Sequence, residues 1–274
     1  MFHQTIKNIT VIILCTSFIT SCNQSISYKR PQILTNFGSF ECSTYKLINK
    51  HYSSIYDKVR SGFCLDTVYS SRVNKEIEWF MDNKDFIYRS FDRARPFLYH
   101  VILELEKNNL PFELALLPVV ESGYQPYAYS PSKAAGIWQF IPPTAREYGL
   151  KKNWWYDGRR DIFASTKAAS HFLKDMKRHF KGDWLLAIAS YNTGAGNVGK
   201  SIKKANYVLG NKTFWDLDLP RETEIYVPKL IALRDIMANP EAYGIRLPAL
   251  PNKPLTKFVN IKYPIDFYTI SVLS

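Results

Sequence analysis

The spacing of hydrophobic residues predicts a mainly helical domain over residues 95–247. The first predicted helix ends near Asn108, and another begins after Asp161, a residue type that caps helix N-termini. Three sets of apolar residues recur at helical spacing: Phe97, Leu98, Val101, Ile102 and Leu105; Ala168, Ala169, Phe172, Leu173, Met176 and Phe180; and Tyr226, Leu230, Leu233 and Met237. Strand-like alternation is sparse, and no repeat of 20 to 50 residues is visible.

Two further helices are predicted to be buried on all sides. The run Phe112–Val120 is apolar except for Glu113, and the preceding Pro111 occupies the position that proline favours at a helix start. Trp184–Ala189 is rich in helix formers and follows Asp183, which is placed to cap it. We expect both segments in the protein core.

The segments on either side of this domain lack a sustained hydrophobic period. Residues 22–72 are rich in Ser, Tyr, Asn and Lys and are interpreted as a tether followed by irregular structure. Residues 73–94 are expected to form a helical lead-in to the domain at 95–247. Residues 248–274 are predicted to be an irregular tail, because prolines interrupt them at Pro248, Pro251, Pro254 and Pro264.

The first 21 residues have the composition of a signal peptide. Lys7 lies in a short polar start, and the apolar run Ile9–Ile19 is shorter than the ~20 residues that span a bilayer. Ile19-Thr20-Ser21-Cys22 resembles a bacterial lipobox, which implies cleavage before Cys22 and a lipid on its thiol. An ordinary signal peptide or a buried N-terminal helix is the alternative. Asn23, where an aspartate would signal retention in the inner membrane, favours the outer membrane. We therefore expect a lipid-anchored protein on the periplasmic face of the cell envelope.

The charge of the chain limits its partners. The formal net charge is +12, and loss of Lys7 with the signal peptide leaves +11. A basic protein favours anionic partners, which include nucleic acid, an anionic lipid surface and peptidoglycan with its peptide carboxylates. Export removes nucleic acid from this set.

The cysteines and histidines do not predict a metal site. Cys42 and Cys64 would remain after lipidation of Cys22, and they either pair in an oxidising compartment or stay as free thiols. His171 and His179 lie eight positions apart without a third ligand at metal spacing. We expect neither a metal nor a cofactor.

Glu121 is the residue that the pattern singles out for chemistry. It lies at the end of the buried helix, before Ser122 and Gly123, where burial and the negative end of the helix dipole both raise a carboxyl pKa. A carboxylic acid that is still protonated near neutral pH can donate a proton to a glycosidic oxygen. The alternative is a structural glutamate held in a salt bridge.

The segment after Glu121 has the residue types of a sugar-binding cleft. Residues 124–136 form a turn-rich loop with three tyrosines, and Ile137–Pro142 is predicted to run extended into another helix. Aromatic rings together with hydroxyl and amide groups suit a sugar polymer, whose rings have apolar faces and many hydroxyls. Trp138 and Phe140 could equally belong to the core.

Three blocks of sequence resemble the lytic transglycosylase SLT domain, and the resemblance covers roughly residues 73–248. The blocks are Glu121-Ser122 with Ser130, Gly136-Ile-Trp138-Gln139-Phe-Ile141-Pro142, Thr144-Ala145 and Tyr148-Gly149-Leu150; then Ala189-Ser190-Tyr191-Asn192-Thr193-Gly194; then Pro220-Arg221-Glu222-Thr223-Glu224-Ile225-Tyr226-Val227-Pro228. The resemblance implies a lysozyme-like catalytic domain that cleaves peptidoglycan glycan strands. Family members often continue into LysM repeats, and we expect none in residues 248–274.

The resemblance also implies roles for individual residues. Glu121 matches the catalytic acid/base. Six residues match substrate-binding positions: Ser130, Gln139 and Ile141 along the sugar sites, Tyr191 and Asn192 on the second wall, and Glu222, which would contact substrate or simply favour a helix N-terminus. Ala134-Ala135 and Ile141 depart from residues that are frequent in the family, which affects the expected loop contacts rather than the chemistry.

A single acid in the motif favours transglycosylation over hydrolysis. Most glycosidases use two carboxylates, and no second one lies between Glu121 and Glu147. The substrate can supply the rest, because its N-acetyl group stabilises the reacting carbon and the muramyl C6 hydroxyl attacks it, which gives a 1,6-anhydromuramyl end. The alternatives are a lysozyme-like hydrolase that recruits Asp157, Asp161 or Asp183, and a non-catalytic glycan-binding lipoprotein.

The segment Gly194-Ala-Gly196-Asn-Val-Gly199-Lys200-Ser201 matches two nucleotide-binding patterns. Both patterns require a preceding strand, whereas a helix is predicted here and no βαβ alternation follows. We interpret the segment as a glycine-rich turn between helices and expect no nucleotide.

Overall fold

The computed structural model describes residues 51–65, 68–206, 213–257, 259 and 264–273, all within the compact unit Thr35–Ser274. In this part of the chain the α-helices are α1 (Ile55–Ser61), α2 (Ser71–Asp82), α3 (Lys84–Ala94), α4 (Leu98–Lys107), α5 (Leu117–Ser122), α6 (Pro142–Glu147), α7 (Ile162–His179), α8 (Trp184–Thr193), α9 (Ala195–Lys204), α10 (Arg221–Ala238) and α11 (Phe267–Leu273). Short 3₁₀ helices cover Phe112–Leu116, Phe214–Asp216 and Pro240–Tyr243. β-pairing within these residues is limited to isolated bridges. The expectation of a mainly α-helical fold is confirmed.

The core forms around two long helices and the buried α8. The helix α10 packs against α2 and α8, and α7 packs against α8 and α4. Both predicted caps are present: the Asp161 carboxylate accepts the backbone N–H of Ala164 at 2.9 Å, and the Asp183 carboxylate accepts that of Leu186 at 3.0 Å. The local signals in the sequence therefore fixed where these helices begin.

The helix predicted after Pro111 is divided into two parts. A 3₁₀ helix covers Phe112–Leu116, and α5 then runs over Leu117–Ser122. Pro118 lies in the first turn of α5 and has no N–H to donate to the carbonyl of Leu114, so a continuous α-helix is interrupted there. Burial along this stretch agrees with the prediction, and it extends to the side chain of Glu113.

The segment before residue 72 contains more structure than we expected. Ser54 caps α1, whose residues Ile55, Tyr56 and Val59 are buried in the core. The Glu113 carboxylate accepts the backbone N–H groups of Cys64 and Leu65 at 2.5 and 2.7 Å. The helix α1 is too short to produce a sustained period, which is why the sequence pattern did not reveal it. The helix α11 likewise lies within the tail that we expected to be irregular.

The glycine-rich segment also differs from its prediction. The turn between α8 and α9 is Gly194 alone, with φ 84° and ψ 145°, and Gly196 and Gly199 lie inside α9. The segment begins at the end of the helix α8, whereas both nucleotide-binding patterns require a preceding strand.

The N-terminal predictions lie outside the described residues, which include neither residues 1–21 nor Cys22 nor Cys42. Cys64 is disulfide-bonded, so it is not a free thiol, and its partner also lies outside the described part of the chain. Among the helices of the described segments, none has both the length and the apolar character needed to cross a bilayer.

Candidate active site

One pocket brings together every residue that the sequence assigned to catalysis or substrate binding. It has a volume of about 400 Å³, and its walls come from the end of α5, the loop that follows it, α8 and the first turn of α10. The seven predicted residues that line it are Glu121, Ser130, Gln139, Ile141, Tyr191, Asn192 and Glu222. Tertiary folding therefore places these distant positions in a single cavity.

Glu121 is held at the pocket by the way α5 ends. Gly123 terminates the helix in the left-handed conformation, with φ 58°. Residues that have a Cβ adopt this conformation only at an energetic cost, whereas glycine does not. The Ser122 hydroxyl donates to the carbonyl oxygen of Ile137 at 3.0 Å and so ties the helix end to the next loop. The Glu121 side chain is half-buried and faces the cavity.

Tyr226 is the direct partner of the Glu121 carboxylate. Its hydroxyl donates to Glu121 Oε1 at 2.5 Å. From the sequence, Tyr226 is predicted on the apolar face of α10 and in the third family block, but not at the site. Its spacing from Glu222 could have indicated a place at the site. Tyr226 follows Glu222 by four residues, which places both side chains on the same face of a helix.

The environment raises the pKa of Glu121 to about 7. Burial is the largest cause, because it disfavours the charged carboxylate, and the negative charge of Glu222 raises the pKa further. The hydrogen bond from Tyr226 opposes both by stabilising the carboxylate. The predicted contribution of the helix dipole is not among these causes, and α5 has only six residues. At neutral pH Glu121 therefore exists as a mixture of acid and carboxylate, which suits a group that must both donate and accept a proton.

The second wall of the pocket is fixed by hydrogen bonds from α8 and α10. The Tyr191 hydroxyl donates to the carbonyl oxygen of Trp138 at 2.7 Å. The Asn192 amide donates to Glu222 Oε1 at 3.2 Å, and its oxygen accepts the Thr223 hydroxyl at 2.7 Å. Asn192 thus has one orientation, and it holds the Glu222 carboxylate at the rim.

The loop between α5 and α6 turns sharply where an extended segment was predicted. Gly136 and Gln139 adopt φ values of 79° and 47°, and the Gln139 amide donates to the carbonyl oxygen of Gly136 at 2.7 Å. The Ser130 hydroxyl accepts the backbone N–H of Ala134 at 3.0 Å. Trp138 is fully buried, and its indole N–H donates to Thr166 at 2.9 Å, so this tryptophan belongs to the core.

A buried arginine braces this loop. Arg159 donates to the carbonyl oxygens of Lys133 and Phe140 at 2.6 and 3.3 Å, and two of its nitrogens bind the Asp157 carboxylate at 2.6 and 2.9 Å. A methyl group on Gly136 would lie 1.8 Å from the carbonyl oxygen of Arg159, so only glycine fits at this contact. The residues that line the pocket from this loop therefore depend on Arg159.

Comparison with known proteins gives this architecture a family. Residues 102–214 match the transglycosylase SLT domain. They include Glu121 and the two walls of the pocket that the loop after α5 and the helix α8 form. The chain belongs to the transglycosylase SLT domain family. The SLT match ends before α10, so Glu222 lines the pocket and Tyr226 donates to Glu121 from outside the matched residues.

Curated relatives extend the SLT similarity along the chain. Membrane-bound lytic murein transglycosylase D of Escherichia coli (strain K12) is 42% identical over 203 residues, which cover 74% of this chain and 45% of that protein. A putative tributyltin chloride resistance protein of Alteromonas sp. (strain M-1) is 44% identical over 121 residues, or 43% of this chain and 58% of that protein. The chain spans about half the length of these curated relatives.

A solved structure of the lytic transglycosylase Slt from Pseudomonas aeruginosa aligns with this chain at a TM-score of 0.45 and 18% sequence identity. The alignment covers 68% of this chain and 32% of the Pseudomonas chain.

The SLT pocket contains a second carboxylate, but it is not one of the three aspartates considered from the sequence. Asp157 pairs with Arg159, while Asp161 and Asp183 cap α7 and α8, and none of the three lines the pocket. Glu222 does line it. Within the described segments, no group of three His, Cys, Asp or Glu side chains is arranged to hold a metal ion.

Proposed function

We propose that this chain is a lytic murein transglycosylase. It would cleave the β-1,4 bond between N-acetylmuramic acid and N-acetylglucosamine in peptidoglycan and leave 1,6-anhydromuramyl ends. The observation that carries the proposal is Glu121: a half-buried carboxyl group, with a pKa of about 7, in a pocket with the SLT residues around it. The membrane-bound lytic murein transglycosylase of Escherichia coli supports the same reaction class.

The reaction needs one acid that changes role. Protonated Glu121 would give its proton to the glycosidic oxygen as the bond from that oxygen to muramyl C1 breaks. The N-acetyl group of the substrate would stabilise the electron-poor C1. The muramyl C6 hydroxyl would then form the new bond to C1 and return its proton to the Glu121 carboxylate. No water is consumed, and Glu121 ends in the form in which it began.

The remaining pocket residues would hold the sugar in place for this step. Ser130, Gln139 and Ile141 offer a hydroxyl, an amide and an apolar surface along one side. Tyr191 and Asn192 form the opposite wall. Glu222 would accept a hydrogen bond from a sugar hydroxyl, and its charge also keeps Glu121 protonated at higher pH.

Glu222 also supports one competing reaction, hydrolysis by two carboxylates. In a lysozyme-like hydrolase, a second carboxylate would activate water or attack C1, and Glu222 is the second carboxylate that lines this pocket. Hydrolysis adds one water to each new end, whereas intramolecular attack does not. The masses of the products therefore separate the two reactions.

The test is the muropeptide profile of purified sacculi digested by the wild-type chain and by Glu121→Gln. We expect anhydromuramyl ends from the wild type and a loss of about 10²- to 10⁴-fold in their rate of formation from the variant, since glutamine cannot donate the proton. Glu147→Gln is the matched control, because Glu147 is exposed at the end of α6 outside the pocket.

Three outcomes would contradict this assignment. Muramyl ends that are mostly heavier by one water would indicate a hydrolase. Unchanged loss of sacculus turbidity in Glu121→Gln would indicate that Glu121 is structural, and absence of cleavage by the wild type would favour a glycan-binding lipoprotein.

We further propose that the chain acts from a lipid anchor at Cys22 on the periplasmic side of the envelope, in the outer membrane. The lipobox-like sequence before Cys22 and the membrane-bound relative support this location. Metabolic labelling with a fatty acid, followed by membrane fractionation, should find label on the wild type and none on Cys22→Ser. An unlabelled wild type would rule out the anchor.

The proposed catalytic domain spans residues 95–247.

A further inference from the structure

Two adjacent tryptophans lie almost fully in solvent. Trp154 and Trp155 are 88% and 90% exposed. They occupy a turn between Lys152 and Asp157, which pair as an antiparallel bridge. Tryptophan usually buries most of its large apolar surface in a folded protein, so two neighbouring exposed rings indicate a contact made with something outside the fold.

The turn that carries these rings is well fixed. The Asn153 side-chain oxygen accepts the backbone N–H groups of Trp155 and Tyr156 at 2.9 and 2.8 Å. The Tyr156 hydroxyl donates to the Asp161 carboxylate at 2.9 Å. The fold therefore holds the backbone of the turn while leaving both indole rings unused.

The exposed rings line a groove of about 720 Å³. Tyr127 and Tyr129, from the loop after α5, line the same groove and are also exposed. We call this surface the aromatic groove and define it by Tyr127, Tyr129, Trp154 and Trp155. It is concave and has aromatic side chains from two separate segments of the chain.

The aromatic groove adjoins the catalytic pocket. Tyr129 precedes Ser130, which lines the pocket, so one loop contributes to both. Trp154 also lines a neighbouring cavity with Pro142 and Ala145 of α6, and Ile141, at the start of the same helix, lines the pocket. A long ligand in the pocket therefore has an adjacent apolar surface on which to continue.

The charges of the groove suit an anionic ligand. Asp157 is already bound by Arg159, and Asp161 caps α7 and accepts the Tyr156 hydroxyl. Arg160 lies 5.9 Å from the centre of the Tyr129 ring and forms no ion pair with the described residues of the chain. Its charge is available to a carboxylate.

We propose that the aromatic groove binds a second stretch of the glycan strand, outside the catalytic pocket. The aromatic rings would stack on the apolar faces of sugar rings, and Arg160 would contact a carboxylate of a peptide stem. The concave shape favours a strand over a bilayer, which would instead contact a protruding surface. This inference rests on the proposed function, because it takes the same polymer as the ligand.

Binding to insoluble sacculi tests the inference. The assay uses the full chain carrying Glu121→Gln, so that the strands are not cut, and compares it with the same chain carrying Trp154→Ala and Trp155→Ala. We expect the tryptophan substitutions to weaken binding about tenfold, since each stacked ring contributes modestly. Tyr268→Ala removes another exposed ring, 78% exposed on α11 and outside the groove, and should leave binding unchanged. Trp154→Phe with Trp155→Phe keeps aromatic faces and should retain most of it.

Three results would overturn the inference. Unchanged binding of the alanine variant to sacculi would exclude a strand contact. Equal weakening by Tyr268→Ala would indicate a nonspecific surface effect. If the tryptophans are needed for binding to phosphatidylglycerol vesicles but not for binding to sacculi, the groove would be assigned to a membrane surface. Thermal unfolding of each variant verifies that it is folded.

A kinetic comparison separates failure of this inference from failure of the proposed function. In the active chain, the ratio of kcat/KM on long strands to kcat/KM on a short fragment should fall when both tryptophans are replaced by alanine. An unchanged ratio would count against the groove while leaving the transglycosylase intact. If the wild type cuts neither substrate, the proposed function fails, and the sacculus assay still reports on the groove because it needs no turnover.

Discussion

The Tyr226 hydroxyl donates to Glu121 Oε1 at 2.5 Å, across 105 positions of sequence. This hydrogen bond joins the end of α5 to the long helix α10 at the place where we propose that the chemistry occurs. It stabilises the carboxylate of Glu121, while burial and the charge of Glu222 favour the acid. The balance among these three effects sets the pH range in which Glu121 can donate a proton.

Activity is expected to fall as the pH rises through about 7, because only protonated Glu121 donates to the glycosidic oxygen. Tyr226→Phe removes the hydrogen bond that lowers the pKa of Glu121, so the decline should move to higher pH. Glu222→Gln removes the charge that raises this pKa, so the decline should move to lower pH. The pH dependence of kcat/KM on sacculi tests both. Shifts in the same direction would contradict the arrangement.

Glu113 should make the stability of the protein depend on pH. Burial raises its pKa from 4.5 to about 7. Because its folded pKa is raised, the stability it contributes is present below pH 4.5 and is lost as the pH rises to about 7. The loss amounts to about 3 kcal/mol. Glu113→Gln should remove this dependence. The free energy of unfolding, measured with urea between pH 4.5 and 8, tests this when Glu113 and Glu113→Gln are compared in the Glu121→Gln background. An equal dependence of that free energy on pH in the two proteins would refute the prediction.

Arg159→Leu should destabilise the protein by about 3 to 5 kcal/mol, because it leaves the Asp157 carboxylate with only Lys152, 4.0 Å away, and removes the donor to the Lys133 carbonyl oxygen. Arg178→Leu is the matched control. Arg178 pairs with Asp175 at the same 2.6 Å, but its side chain is 75% exposed compared with 3% for Arg159, so its loss should cost at most about 1 kcal/mol. Similar unfolding midpoints for the two variants would contradict the bracing role.

Gly136→Ala should be far more damaging than Gly149→Ala. Both glycines have positive φ, 79° and 76°, so both substitutions carry a backbone cost of about 1 to 2 kcal/mol. A methyl group at Gly136 would also lie 1.8 Å from the Arg159 carbonyl oxygen, whereas nothing lies within 4 Å at Gly149. Thermal unfolding and cleavage of sacculi measure the difference. Equal losses of stability and activity in the two variants would indicate that the loop around Gly136 rearranges without a cost in free energy.

Local sequence signals predicted much of the secondary structure. Asp161 and Asp183 marked two helix starts, and Gly123 marked the end of α5, because a cap is a contact between residues a few positions apart. The signals failed where a helix was short, as in α1, or where a single proline changed the helix type, as at Pro118.

The candidate site was predicted as a set of residue types rather than as an arrangement. Local sequence placed Glu121 at the end of a buried helix, and the family resemblance supplied the other pocket residues. Tyr226 was assigned to the hydrophobic face of α10, because helical spacing identifies a buried face without identifying what lies against it. The same limit hid Arg159, a charged residue that the loop buries.

The sequence by itself indicated the core helices that have a sustained apolar period, the caps at Asp161 and Asp183, and the position of Glu121 at the end of a buried helix. These properties depend on neighbours along the chain. Tertiary structure alone decided that Glu121 is half-buried beside Tyr226 and Glu222 of α10, which shift its pKa in opposite directions, and that Trp154 and Trp155 remain in solvent. Those relationships depend on which distant surfaces pack together, and hydrophobic spacing does not encode the partner.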